Sequence, residues 1–166
     1  MKQILKQLKP LSILPALFLL WIIFSFSAQT GSESGGLSQA VSRWLAAGWN
    51  LVSGQDLSPA ALDVLAQSME FWVRKGAHMS EYALLCWCAA LPMLVYQVPD
   101  RFRRIGVPVF CLLVAASDEF HQSLVPGRTP AVRDVAIDLT GALLALGVLE
   151  LGLALRRRHR RQAQRP

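Results

Sequence analysis

The sequence predicts an all-α fold: a polytopic membrane helical bundle of four transmembrane helices, with an extracytoplasmic amphipathic helical segment between the first and second. Composition is one ground. Of 166 residues, 53% are hydrophobic and mean hydropathy is +0.36, too apolar for an ordinary soluble domain. A second ground is four apolar runs, at about 10–27, 71–96, 105–124 and 131–155, divided by polar turns. The third is the placement of a net charge of +6. Six arginines fall in the last eleven residues, directly after an apolar run, where they read as a cytoplasmic anchor rather than a nucleic-acid surface.

Taken in order, Lys2, Lys6 and Lys9 precede the run Leu11 to Phe26. Ser25, Ser27 and Ala28 offer a weak signal-cleavage site, but further hydrophobic segments follow and the run stays bulky to its end, so it reads as the first span. Residues 28–70 form the extracytoplasmic segment. It begins as a Ser/Gly-rich loop, and Leu37, Val41, Trp44, Leu45, Gly48 and Leu51 then recur at helical spacing. Trp44 and Trp49 suit a short helix in the headgroup layer, a lid on the bundle. Ser58-Pro59 is a helix start, with Leu62, Leu65, Met69 and Trp72 on one apolar face.

The second span runs from about Phe71 to Tyr96, with a kink expected at Pro92. The charged loop from Asp100 to Arg104 separates it from the third span. Pro126-Gly127 is a turn, and Thr129-Pro130 reads as a cap and first-turn proline for the fourth. The basic tail is 156–166, and the whole chain, 1–166, reads as one domain. Cys86, Cys88 and Cys111 lie in apolar segments and read as small packers rather than a disulfide framework. With both termini in the cytoplasm of a bacterium and the spans in its inner membrane, twelve of seventeen cations lie inside, which satisfies the positive-inside rule.

That topology brings polar residues from three spans to one depth near the outer leaflet. Lys75, His78, Glu81 and Tyr82 lie in the outer turns of the second span, Asp118, Glu119, His121 and Gln122 in those of the third, and Asp134 and Asp138 in those of the fourth. At about 3.6 residues per turn, Lys75, His78 and Tyr82 share a stripe; so do Asp118, His121 and Gln122, and so do Asp134, Asp138 and Gly141. Charges beside hydrocarbon are kept mostly for work. Mutual ion pairing is the competing structural explanation, since Arg74, Lys75, Arg128 and Arg133 oppose Glu81, Asp118, Glu119, Asp134 and Asp138.

The catalytic candidates are His78, Asp118, Glu119, His121 and Asp134, with histidine proton transfer poised by a carboxylate. Lys75, Tyr82, Gln122, Arg128 and Asp138 are candidates for binding substrate or an anion; Arg128 stands just before a helix amino terminus. The D-E-x-H spacing permits a metal but is unspecific, and neither a metal nor a cofactor is assigned. Ser80, Ser117 and Ser123 sit on no recognisable nucleophile elbow.

These residues resemble the VanZ-like family of bacterial membrane proteins. The resemblance is carried by Arg74-Lys75-x-x-His78-x-x-Glu81-Tyr82, Ser117-Asp118-Glu119-x-His121-Gln122, Val125-Pro126-Gly127-Arg128 and Asp134-Val135-x-x-Asp138-x-x-Gly141, together with Phe24 to Gln29. It covers most of residues 15–150. The family pattern often has Asn at the position of Asp138. The family's namesake is associated with low-level resistance to the glycopeptide teicoplanin, so the resemblance implies a cell-envelope role. The expected partner is a membrane lipid, a lipid-linked envelope precursor or a glycopeptide-related molecule, and not a nucleic acid. Two other functional classes compete with this one: a non-catalytic binder that shields the membrane surface, and a small transporter, for which no internal repeat speaks.

Overall fold

The computed structural model describes residues 9–164. Lys2, Lys6 and Arg165, part of the predicted cytoplasmic charge, lie outside them. The described chain is helical. A 3-10 turn, Lys9–Ile13, leads into α1, Leu14–Ser27; α2 is Gly31–Ser53, α3 Pro59–Val95, α4 Asp100–Ser123 and α5 Val132–Gln162. No strand occurs among the described residues. Three stretches are long and apolar enough to cross a membrane: Lys9–Ser27, Pro59–Val95 and Val132–Gln162. The predicted third span, within α4, is not among them, because its polar and charged residues lower its hydropathy.

Each helix has a local cause. The amino end of α2 is a capping box: the Glu33 N–H donates to Thr30 Oγ1 at 3.4 Å, and the Thr30 N–H donates to Glu33 Oε2 at 2.9 Å. The Thr30 N–H and the Thr30 hydroxyl, which donates to Glu33 Oε2 at 2.8 Å, hold the Glu33 carboxyl below its usual range. The Ser/Gly-rich stretch expected as loop is therefore helical from Gly31. Gly54, with φ +65°, ends α2 in the left-handed conformation that glycine adopts without strain. Ser58 caps α3, accepting from the Ala61 N–H at 3.3 Å, with Pro59 in the first turn.

Two expectations about boundaries are corrected. The lid helix at Ser58 and the span at Phe71 are one continuous helix, α3, whose 37 residues are about 55 Å long. That helix continues through Pro92 to Val95. At the start of α5 the cap is Ala131, not Thr129; Thr129 and Pro130 stay outside the helix. The missing side-chain cap is supplied from another element: Glu119 Oε2 on α4 accepts the Ala131 N–H at 2.9 Å.

Packing centres on α3, which touches every other helix. It runs parallel to α5, with Lys75 beside Asp134, His78 beside Asp138, and the Trp87 indole N–H donating to the Ala145 carbonyl at 2.8 Å. Gly141 permits this closeness. A Cβ there would collide with the backbone carbonyl of Met79. The core between α3, α4 and α5 is built of small residues, among them Cys86, Ala90, Cys111, Ala115, Ala142 and Ala145.

Exposure is inverted relative to a soluble bundle. On α4 one stripe is buried: Arg103, Val107, Cys111, Val114, Asp118 and Gln122. Ile105, Val109, Leu113 and Phe120 of the same helix face outward. Of the apolar residues predicted to pack α2 as a lid, Trp44, Leu45 and Leu51 face outward and Leu37 and Val41 stand half exposed at a cavity, while Ser38, Ser42 and Ala46 are the buried ones. Ser38 donates to Glu70 of α3 at 3.2 Å. At the opposite end of the bundle, the buried Arg103 donates through Nε to Glu150 of α5 at 2.9 Å. Arg157 bonds Asp100 there and holds its carboxyl well below the ordinary range.

Candidate functional site

The parallel register of α3 and α5, with α4 laid across them, decides which polar residues meet. His78 on α3, Asp118 on α4 and Asp138 on α5 converge, each offering a donor atom within 4.8 Å of the others. His78 Nδ1 is 3.8 Å from Asp138 Oδ1, beyond direct hydrogen-bond reach. Asp118 is 1% exposed and Asp138 0%. Gln122, one turn on from Asp118, donates to Asp118 Oδ2 at 3.0 Å. The remaining polar atoms of the group have no partner: His78 Nδ1, Asp118 Oδ1, both oxygens of Asp138 and the Tyr82 hydroxyl. Each orphan of this kind costs roughly 1–3 kcal/mol, so five at one place call for a physical reason.

Two cavities adjoin the cluster. The first, of about 190 Å³, lies among α1, α2, α3 and α4. One side is apolar, formed by Ile23, Phe26, Leu37, Val41 and Val73; the other is polar, formed by Arg74, His78, Glu81, Asp118, Gln122 and Arg128. The second, of about 310 Å³, shares Arg74, His78, Gln122 and Arg128 with the first and adds Lys75, Arg133 and Asp134. Four cations line it, Arg74, Lys75, Arg128 and Arg133, against one carboxylate, Asp134. Lys75 is held by Asp134 in a half-buried ion pair. Arg74 Nε is buried without a partner. The pair of cavities is therefore a groove with one apolar wall that shares four lining residues with a cationic vestibule.

The other candidates hold the site together. Arg128 donates through Nε to the Gln29 carbonyl at 3.0 Å and through a terminal nitrogen to the Phe26 carbonyl at 2.9 Å. It ties the α4–α5 loop to the carboxy end of α1 and still faces both cavities. Close backbone contact between Gly31 and Gly127, whose φ is +74°, brings α2 against the same loop, and the Gly31 N–H donates to the Pro126 carbonyl at 3.2 Å. Glu119 caps α5. His121 lines neither cavity. Its Nδ1 pairs with Ser27 Oγ at 3.1 Å and its ring lies beside Phe24. The sequence places His121 with Asp118 and Gln122, and the structure turns it toward α1 instead.

Arg74 and Glu81 line the first cavity without having been selected as site residues; their signal was their place in the same polar stretch of α3. The buried Arg103, read from sequence only as loop charge, gave no such signal, because its partner Glu150 is 47 residues away.

A family profile described as VanZ/LLP1 matches residues 12–153. No curated protein matches the chain. No solved structure matches it either.

Proposed function

We propose, starting from the fact that this chain belongs to the VanZ/LLP1 family, that it is a cell-envelope membrane protein that binds an anionic amphiphile in its paired cavities. The supporting observation is that a groove with one apolar wall shares four lining residues with a vestibule lined by Arg74, Lys75, Arg128 and Arg133. A lipid-linked envelope molecule has that division: hydrocarbon along Phe26, Leu37 and Val41, and a phosphate or carboxylate at the guanidinium groups. A glycopeptide with an acyl tail has it too, which links the reading to glycopeptide resistance.

In this reading α4 also crosses the membrane. Its charged residues turn into the bundle and its outward residues are apolar, so the low overall hydropathy of α4 does not describe its lipid-facing side. Four crossings place both termini in the cytoplasm and the cavities in the outer leaflet, with α2 and the first turns of α3 as an outer amphipathic hairpin. A modifying activity is the second reading, favoured by one observation: His78 stands beside Asp118 and Asp138 at the cavity. His78 would then move the proton.

Arg74 is the residue to test, because its Nε makes no bond that holds the fold together. The full chain, purified in neutral detergent, is offered a polyprenyl phosphate, phosphatidylglycerol or teicoplanin, and retained ligand is read by native mass spectrometry. Retention of one of these by the wild type and at least about a tenfold loss in Arg74→Gln are expected, from removal of a charge-assisted contact. Equal retention by the two proteins, or none by the wild type, overturns the reading.

A further inference from the structure

We propose that His78, Asp118 and Asp138 form a binding site for one divalent transition-metal ion at the floor of the first cavity. The donor atoms come from three helices and lie within 4.8 Å of one another. Three donors about 2.0–2.2 Å from one ion lie about 3.3–3.6 Å apart in tetrahedral geometry, so side-chain rotation that moves donor atoms by about an ångström closes the set. One imidazole and two carboxylates suit Zn²⁺ or Mn²⁺.

Partnerless atoms inside the protein point the same way. Asp138 is 0% exposed and neither of its oxygens has a hydrogen-bond partner. Asp118 Oδ1 and His78 Nδ1 are likewise buried and unmatched. One ion meets these atoms together. Charge agrees with this: two ionised carboxylates and a neutral imidazole sum to −2, which one divalent ion cancels. Among the described residues no lysine or arginine stands in ion-pair contact with Asp118 or Asp138. Lys75, the nearest cation on the His78 stripe, is already engaged with Asp134.

The surroundings orient the donors. Gln122 binds Oδ2 of Asp118 and leaves Oδ1 for the ion, the kind of outer contact that tunes a metal ligand. Gly141, three residues after Asp138, brings α5 against the α3 backbone at Met79, next to His78. His78 and Asp118 line the first cavity, whereas Asp138 is fully buried and does not line it. The ion therefore has three protein ligands and an open position facing the cavity, the arrangement in which a metal takes up an anionic oxygen. The inference stands apart from which molecule the cavities take, since metal binding is read without one.

Untagged full-length chain in neutral detergent is stripped with chelator, then titrated with Zn²⁺ and separately with Mn²⁺. Bound metal is counted by inductively coupled plasma mass spectrometry and affinity is read by calorimetry. One equivalent per chain is expected for at least one of the two ions. Asp138→Asn and His78→Gln are expected to weaken it by at least about tenfold. His121→Gln and His159→Gln alter the other two histidines and should bind as the wild type does. Less than half an equivalent on the folded wild type overturns the proposal, even if the ligand variants fail to fold. So does affinity that follows His121 or His159, or that survives both ligand substitutions.

Discussion

At the scale of the residue, two side chains show how position outweighs chemical type. Glu119 looks from sequence like half of an acidic pair with Asp118, yet the structure uses its carboxylate to cap α5 through the Ala131 N–H. Pro130 has no N–H and Thr129 lies outside the helix, so that end depends on α4 for its cap. Glu119→Ala is expected to destabilise the protein by about 0.5–2 kcal/mol, the worth of a helix cap, in thermal unfolding followed by circular dichroism. Glu119→Gln keeps an acceptor oxygen and should lose less. If the two variants are equally destabilised, the charge rather than the cap carries the effect. His121 makes the companion point. Positions i, i+3 and i+4 spread across a wide arc of a helix, and two neighbours can divide it. Asp118 and Gln122 turn to α3 and α5, and His121 turns to Ser27 and Phe24 of α1.

The elements are set by how closely they can approach. α3 and α5 form the parallel pair on which the site is built, and at Gly141 their backbones come too close for a side chain. Gly141→Ala places a methyl group against the Met79 carbonyl and must separate the helices, which pulls Asp138 from His78. A loss of about 1–3 kcal/mol is expected, the usual range for overpacking. Gly147 lies on the same helix with open space at its Cβ. Gly147→Ala should be neutral or stabilising by up to about 1 kcal/mol, through helix propensity alone. Melting temperatures of the two variants, measured side by side, test the close approach; equal shifts would remove the special role of Gly141. The boundary between lid and span was illegible for a related reason. Nothing between Ser58 and Val95 breaks a helix before Pro92, and packing along α3 sustains it throughout.

For the whole molecule, the apolar exterior and polar interior of α4 make the same prediction as the charge count. Reporter fusions after Gln164 and at Gln97 should report the cytoplasm, and one at Asp56, in the turn between α2 and α3, should report the outside. A carboxy terminus found outside would mean that α4 does not cross, and would move the vestibule away from the outer leaflet. A cytoplasmic signal at Asp56 would do the same.

Helicity, three of the strongly apolar stretches and the gathering of polar residues at one level of the bundle were legible in the sequence alone, because hydropathy and helical period are local properties. So was the Ser58-Pro59 start of α3, which needs only its own first turn. Which polar residues meet was decided by tertiary structure. Asp134 and Asp138 share a stripe, yet one turn separates a partner of Lys75 from a neighbour of His78. That choice depends on the register between α3 and α5, and the register depends on where a glycine lets two backbones touch. The burial of Arg103 against Glu150 and the outward turn of the α2 apolar face have the same origin. Each is a rotation of one helix against another, fixed by side-chain packing between residues far apart in the chain, and no periodicity within a single helix encodes it.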